Sequence, residues 1–115
     1  MSNKLVAQVF GIVLLLAGIV GFFLDPSIFG LFGVNTMHNL VHIVTGLIFV
    51  WAGFSKKAPT KQVNKWLGVI YILVAILGFL GLLTFLAVQA GVSDWDNWLH
   101  LVIGVIAAWV GWMGK

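Results

Sequence analysis

Two short polar motifs contain the residues of this chain whose types and spacing suit chemistry. Asn39 and His42 lie three residues apart, Asn97 and His100 repeat that spacing, and His38 lies four residues before His42. Residues three or four apart share one face of a helix, so each motif presents an amide and an imidazole side by side. A neutral imidazole offers one donor and one acceptor nitrogen, and it is also a common ligand of metal ions and haem iron.

Three functions are open for this Asn/His cluster, which comprises Asn39, His42, Asn97, His100 and His38. The leading interpretation is an interhelical hydrogen-bond clasp, because buried amides and imidazoles need partners in lipid. The alternative is haem b or a divalent metal ion ligated by His42 and His100, with His38 as an additional ligand. Apart from Asp96 beside His100, no acidic residue accompanies these histidines, so a complete set of metal ligands is not evident. The third function is a proton relay or a small-ligand contact.

The composition requires a membrane environment for these motifs. Of the 115 residues, 62% are hydrophobic and 8% are charged, whereas soluble domains average about 45–50% and about 25%. The net charge of +3 is too sparse for a nucleic-acid surface. The absence of cysteine excludes disulfides and thiolate ligands. Because the chain contains no HExxH motif, Walker glycine loop or pair of intramembrane carboxylates, we expect it not to be an enzyme.

Four apolar runs of membrane-spanning length predict an all-α, integral membrane four-helix bundle. The runs cover residues 5–24, 37–54, 66–88 and 97–113. They lack the alternation of transmembrane β-strands. Asp25-Pro26 is expected to end the first helix, while Asn35-Thr36 and Ser93-Asp94 favour helix starts before the second and fourth runs. The first run has no small-residue cleavage site, so we expect it to remain as an anchor.

The lysines predict the orientation of the bundle. Four of them, Lys56, Lys57, Lys61 and Lys65, lie between the second and third runs, whereas the acidic residues lie in the other two loops. By the positive-inside rule, both termini and the central loop are cytoplasmic. The Asn/His cluster then lies one or two helical turns below the outer surface. The lipid bilayer is the principal expected partner, and a membrane-protein partner or a homo-oligomer also suits the glycine-lined helix faces.

The chain also contains an internal repeat. The segment from Gly33 to Gly46 aligns with a later segment at an offset of 58 residues, which places Asn97 over Asn39 and His100 over His42. The two repeats, about residues 5–54 and 63–113, each contain two spans. We therefore predict two tandem helical hairpins related by a parallel pseudo-two-fold axis along the membrane normal.

Small residues seven positions apart predict where the helices pack. The pairs are Gly11 and Gly18, Gly46 and Gly53, Gly68 and Ala75, and Gly104 and Gly111. Seven residues are about two helical turns, so both members of a pair lie on one face. In lipid, close backbone approach at such positions is a main source of helix association.

The two polar segments resemble a bacterial family of small four-helix membrane proteins catalogued as domain of unknown function 4383. The resemblance rests on Asn35-Thr36-Met37-His38-Asn39-Leu40-Val41-His42 with Gly46, on Asp96-Asn97-Trp98-Leu99-His100-Leu101 with Gly104, and on Gly21-Phe22 and Gly78-Phe79. It covers nearly the whole chain and implies a single four-span domain of a prokaryotic inner membrane, with no activity, cofactor or substrate attached. We therefore expect a structural or interaction protein, such as an accessory subunit, with haem or metal binding as the alternative.

Overall fold

The protein folds as a bundle of four α-helices. The computed structural model describes residues 2–24, 27–28, 32–88, 91 and 94–115. The helices are α1 (Asn3–Phe23), α2 (Thr36–Phe54), α3 (Thr60–Phe79) and α4 (Trp95–Met113). Strand β1 (Ser27–Ile28) pairs antiparallel with β2 (Phe32–Gly33), and a 3-10 helix covers Thr84–Leu86. The expected all-α four-helix bundle is confirmed, because this two-residue ladder is the only sheet among the described residues.

The helix surfaces suit a lipid environment. Within the described residues, α1, α2 and α3 are each long and apolar enough to cross a membrane. Large apolar side chains such as Leu16, Val44 and Leu73 are more than half exposed on the outside of the bundle. The polar side chains of the Asn/His cluster are buried instead. This distribution is the reverse of that in a soluble domain and is typical of a protein surrounded by lipid.

The third helix ends earlier than the sequence predicts. The apolar run predicts one span over residues 66–88, whereas α3 is Thr60–Phe79. Gly81 has a φ of 78°, and the N–H of Leu82 donates to the carbonyl of Leu77 at 2.9 Å. These are features of a Schellman motif, which ends a helix at a glycine with positive φ. Hydropathy alone misses this end because the residues beyond it are as apolar as the helix itself.

The third helix also begins earlier than expected, at Thr60 instead of Trp66, because the helix includes a polar first turn that hydropathy does not count. The remaining helix limits lie close to the expected ones. Helices α1, α2 and α4 each begin one or two residues before the apolar runs predict. The second and fourth helices end where the sequence predicts, at Phe54 and Met113. The proposed stop at Asp25-Pro26 and the capping residue Ser93 lie outside the described residues.

Consecutive helices form two hairpins. Helix α1 packs chiefly against α2, and α3 packs chiefly against α4, with fewer contacts between the two pairs. A Cβ atom on Gly46 would lie 2.8 Å from the backbone nitrogen of Leu15, and one on Gly104 would lie 2.6 Å from that of Ile72. The other predicted packing residues are also buried: Gly11, Gly18, Gly53, Gly68, Ala75 and Gly111. The helices of each hairpin therefore approach closely where side chains are smallest.

An apolar core fills the space between the hairpins. Its buried residues are Ala7, Leu14, Phe49, Ala52, Leu67, Tyr71, Ile103 and Ala107. The ring of Phe49 is fully buried and packs edge-to-face on Phe10, with 6.0 Å between the ring centroids. Such aromatic contacts add about 0.5–1.5 kcal/mol to the gain from burial. The core thus supports the buried polar side chains nearer the starts of α2 and α4.

Polar side chains of α1 form hydrogen bonds with the C-terminal end of α2, at the end of the bundle opposite the Asn/His cluster. Lys4 Nζ donates to the carbonyl oxygens of Ala52 at 3.0 Å and Ser55 at 2.5 Å. Gln8 Nε2 donates to the carbonyl of Gly53 at 2.9 Å. The last carbonyls of a helix have no partner within it, so these side chains of α1 satisfy the end of α2. They also fix the register of the first hairpin.

Candidate functional site

Two side-chain caps start the helices that carry the polar motifs. The N-cap of α2 is Asn35, whose side-chain oxygen accepts from the N–H of His38 at 2.9 Å. The N-cap of α4 is Asp94, whose carboxylate accepts from the N–H of Asp96 at 2.9 Å. Each cap satisfies one of the free N–H groups in the first turn. The caps therefore fix the first turns of α2 and α4, where His38 and Asp96 lie.

Each of these helices contributes two ligand-type side chains four residues apart. Helix α2 supplies His38 and His42, and helix α4 supplies Asp96 and His100. The rings of His38 and His42 lie on one face of α2, with centroids 4.3 Å apart. Side chains at positions i and i+4 lie on the same face of a helix, so the two members of each pair can contact the same partner or ligand.

The two pairs meet at the centre of the bundle and form a group that we call the His/Asp cluster: His38, His42, Asp96 and His100. One ligand atom from each residue lies within 4.8 Å of those from the other three. His42 Nε2 is 3.4 Å from His100 Nε2, and His38 Nε2 is 3.7 Å from Asp96 Oδ1. Each of these close pairs joins α2 to α4, so the cluster links the two hairpins.

The His/Asp cluster is closed to bulk water. Its four side chains are at most 3% exposed. Val34 and Val88, which are buried near the starts of α2 and α4, are each no more than 1% exposed. Burying imidazole and carboxylate groups in a membrane protein costs desolvation free energy, which pairing or a bound ion offsets.

The two asparagines of the Asn/His cluster take a different position from the imidazoles. Asn39 packs its side-chain oxygen against Gly21 of α1, where a Cβ atom would collide with it. Asn97 packs in the same way against Gly78 of α3, and its Nδ2 donates to the carbonyl of Gly91 at 2.9 Å. The structure therefore brings the three histidines together, while each amide contacts the partner helix within its own hairpin.

A hydroxyl pair lies beside the cluster. Thr45 Oγ1 and Tyr71 Oη are 2.6 Å apart and form a hydrogen bond between α2 and α3. The ring of Tyr71 lies 5.5 Å from that of His100, measured between centroids. The Tyr71 ring therefore forms part of the wall around the histidines, and its hydroxyl is satisfied by Thr45.

Asp96 is the member of the site that is not among the ligands predicted from the sequence. The sequence places it near His100 but does not indicate that it meets His38. Two signals pointed to it: Asp96 lies four residues before His100, and the alignment of the repeats places it over His38. Together these signals define a second i, i+4 ligand pair equivalent to His38 and His42.

Comparisons with known proteins identify the chain at the level of a family. The family described as a domain of unknown function, number 4383, matches residues 4–113. The match extends over nearly the whole chain and confirms the resemblance seen in the polar segments. No curated protein and no solved structure matches the chain. The function must therefore be argued from the site itself.

Proposed function

The chain belongs to the family described as domain of unknown function 4383, and from its site we propose that it binds one divalent transition-metal ion through the His/Asp cluster. One observation carries the proposal: four buried ligand atoms, from His38, His42, Asp96 and His100, lie within 4.8 Å of one another. A tetrahedral ion with metal–nitrogen bonds of about 2.0–2.1 Å holds its ligand atoms about 3.3–3.4 Å apart. The His42–His100 separation of 3.4 Å has this value.

The charge of the four groups also suits a divalent ion. Histidine binds metals as a neutral imidazole, so the cluster carries the single negative charge of Asp96. His38 Nε2 lies 3.7 Å from Asp96 Oδ1, so an imidazole nitrogen and a carboxylate oxygen face each other within the cluster. A divalent cation bound there would take this carboxylate and the imidazole nitrogens as its ligands.

The ligand types narrow the choice of ion. Imidazole nitrogens favour zinc, iron, copper and nickel, whereas magnesium and calcium prefer all-oxygen sites. Three imidazoles with one carboxylate, and no thiolate because the chain has no cysteine, favour Zn²⁺ or Fe²⁺ over Cu⁺. We propose an ion of this class.

A bare ion is favoured over a haem. In a bis-histidine haem, the two axial nitrogens lie on opposite faces of the porphyrin, and the flat ring extends outward between them. Around the His42–His100 pair, His38 and Asp96 occupy adjoining space, since all four ligand atoms lie within 4.8 Å. A porphyrin between His42 and His100 would displace both of these side chains.

An interhelical clasp without metal is the second candidate function, and the same contact supports it. At 3.4 Å, His42 Nε2 and His100 Nε2 can share one hydrogen bond if one ring carries its proton on that nitrogen. The hydrogen bond between Thr45 and Tyr71 would add to such a clasp. In membranes each bond of this kind contributes about 0.6–2 kcal/mol. A clasp predicts a protein that folds and remains stable without any ion.

We also propose how the protein lies in its membrane. The lysine-rich connection between α2 and α3 supports cytoplasmic termini by the positive-inside rule, in a prokaryotic inner membrane. The His/Asp cluster then lies in the outer half of the bilayer. The equivalent spacing of His42 and His100 in the two hairpins supports their origin as a parallel repeat. The proposed role is binding and not catalysis, as a structural or accessory component that acts with lipid and with a membrane-protein partner or a second copy.

Metal analysis of the purified protein tests the proposal. The protein is purified in mild detergent with an affinity tag that contains no histidine, stripped with a chelator, reloaded with Zn²⁺ and desalted. We expect about one ion per chain, as for a single four-ligand site. Asp96→Asn keeps the shape of the side chain but removes its charge, and His42→Ala removes one imidazole. Each variant should bind Zn²⁺ at least about tenfold more weakly.

Tyr71→Phe is the matched control. It removes a buried hydroxyl next to His100 without removing a ligand, so its zinc content should equal that of the unmodified protein. Equal zinc content in the unmodified protein, Asp96→Asn and His42→Ala would contradict the proposal and favour the clasp. An absorption band of haem that shifts on reduction would contradict the choice of a bare ion.

A further inference from the structure

The two hairpins can be compared residue by residue at the end of the bundle opposite the His/Asp cluster. The first and third helices align at an offset of 57 residues, and the second and fourth align at 58. The close contacts follow this alignment: a Cβ atom on Gly53 would lie 2.6 Å from the backbone nitrogen of Gln8, and one on Gly111 would lie 2.5 Å from that of Lys65. Gln8 and Lys65 are therefore equivalent residues of the two hairpins.

The first hairpin uses its polar side chains at this end for internal hydrogen bonds. Lys4 and Gln8 both donate to backbone carbonyls at the end of α2. The exposed residues beside them are Val9 and Phe54, which are apolar. This hairpin therefore presents an apolar surface to the lipid here.

The second hairpin carries two lysines and two tryptophans at the same positions, and we call this set the Lys/Trp patch. Its members are Lys61, Lys65, Trp66 and Trp112, in the places that Lys4, Gln8, Val9 and Phe54 take in the first hairpin. Lys65 Nζ lies 4.8 Å from the centre of the Trp112 ring. Trp66 packs edge-to-face on Trp112, with 6.0 Å between the ring centroids. Because the first hairpin has the same fold without these side chains, the fold does not require them.

The charges of the Lys/Trp patch have no anionic partner in the protein. Within the described part of the chain, the ammonium groups of Lys61 and Lys65 make no ion pair and no hydrogen bond. The acidic residues of the sequence lie in or beside the connections at the opposite end of the bundle, at Asp25, Asp94 and Asp96. An anion from outside the protein is therefore the partner that this charge fits.

The patch lies at the boundary between the polar and apolar parts of α3. Lys65 is the last charged residue before the apolar run, and Trp66 is the first residue of that run. Trp66 and Trp112 are 57% and 49% exposed on the surface that faces lipid. Tryptophan is enriched at the headgroup level of a bilayer. Lys61 lies one helical turn, about 6 Å, further from the hydrocarbon, so both lysines lie at the level of the lipid phosphates.

We propose that the Lys/Trp patch binds the headgroup of an anionic phospholipid, such as phosphatidylglycerol, in the leaflet on the lysine side of the membrane. Lys61 and Lys65 lie four residues apart on one face of α3, so both can contact one phosphate. The tryptophan rings pack against the glycerol and the upper part of the acyl chains. Phosphatidylcholine carries its own ammonium group, which the two lysines repel. The proposal is independent of metal binding.

Native mass spectrometry of the detergent-purified protein tests this proposal. The protein is mixed with equal amounts of phosphatidylglycerol and phosphatidylcholine of the same chain length, and the bound lipids are identified by mass. A lysine near an anionic surface contributes about 1 kcal/mol, a factor of about five in binding, so two lysines predict a preference of roughly 30-fold for one phosphatidylglycerol.

The first hairpin supplies the variants, because it shows which residues the fold accepts at these positions. Lys65→Gln copies Gln8 and should lower the preference about fivefold, and Lys61→Gln should have a similar effect. Lys56→Gln is the matched control. Lys56 is exposed and has the same charge, but it directly follows Ser55 at the end of α2, in the first hairpin. This control should change the preference less than about twofold.

Three results would overturn the proposal. The first is a preference for phosphatidylglycerol below about twofold in the unmodified protein. The second is an equal loss in Lys56→Gln and Lys65→Gln, because the lipid would then respond to total charge and not to the patch. The third is displacement of the lipid by glycerol 1-phosphate at about tenfold excess, since the patch would then be a site for soluble phosphates.

Discussion

Replacing Gly46 by alanine should force α1 and α2 apart. The added Cβ atom would lie 2.8 Å from the backbone nitrogen of Leu15 and 3.1 Å from the carbonyl oxygen of Gly11. Both atoms belong to the backbone of α1, so no side-chain rotation relieves the overlap. The helices must separate instead, and the packing along the first hairpin is lost over more than one turn.

The expected size of the effect follows from two opposing contributions. Overpacking a well-packed contact costs about 1–3 kcal/mol. Alanine in place of glycine within a helix gains about 0.5–1 kcal/mol from the lower entropy of the unfolded chain. The difference is a loss of stability of about 0–2.5 kcal/mol for Gly46→Ala, and the backbone contact places it in the upper half of that range. Gly104→Ala should have a similar effect on the second hairpin, since its Cβ would lie 2.6 Å from the backbone nitrogen of Ile72.

The assay is equilibrium unfolding in mixed micelles by increasing SDS, followed by far-UV circular dichroism. Leu47→Ala is the control, because Leu47 is the neighbour of Gly46 in α2 and is 53% exposed. Its effect should stay within about 0.5 kcal/mol, as for most surface changes. A gain in stability of about 0.5–1 kcal/mol in Gly46→Ala would refute the reasoning, since it is the effect of an unpacked helical glycine.

Three further predictions concern the surroundings of the site. Tyr71→Phe removes the 2.6 Å hydrogen bond to Thr45 and should lower stability in the same SDS assay by about 0.5–1.5 kcal/mol; an unchanged midpoint would show that the bond is not formed in the micelle. Gly81→Ala places a side chain at a φ of 78° and should lower stability by about 1 kcal/mol, whereas stabilisation would mean that the α3 helix continues past Phe79. Removing Zn²⁺ with a chelator should lower the stability of the unmodified protein by about 2.7 kcal/mol, if free Zn²⁺ was 100 times its dissociation constant before the chelator was added. The stability of Asp96→Asn should change much less. An equal loss of stability in both proteins would contradict ion binding at this cluster.

The helices could be predicted because each depends on a local pattern. The apolar runs locate α1, α2 and α4, and Asn35 and Asp94 are residues that typically precede a helix. The end of α3 could not be read from hydropathy, because the stop is the backbone conformation of Gly81. Glycine occurs within helices elsewhere in this chain, so its presence alone does not mark a helix end.

The candidate site was only partly predictable for a different reason. His38, His42 and His100 have ligand chemistry and helical spacing, and both properties are visible in the sequence. Whether Asp96 joins them depends on how α2 and α4 are rotated towards each other, which is a property of the packed bundle.

The position of the His/Asp cluster would couple the proposed metal binding to the association of the two hairpins. Close glycine contacts hold each hairpin together internally, whereas the two hairpins contact each other less. The cluster takes His38 and His42 from one hairpin and Asp96 and His100 from the other. An ion bound there would join the hairpins at their weaker interface, so its free energy of binding would stabilise their association. A chelator should therefore loosen the contact between hairpins while each hairpin stays helical, which distance measurements between labels on α1 and α4 can detect. Helices that melt together with that contact would contradict this coupling.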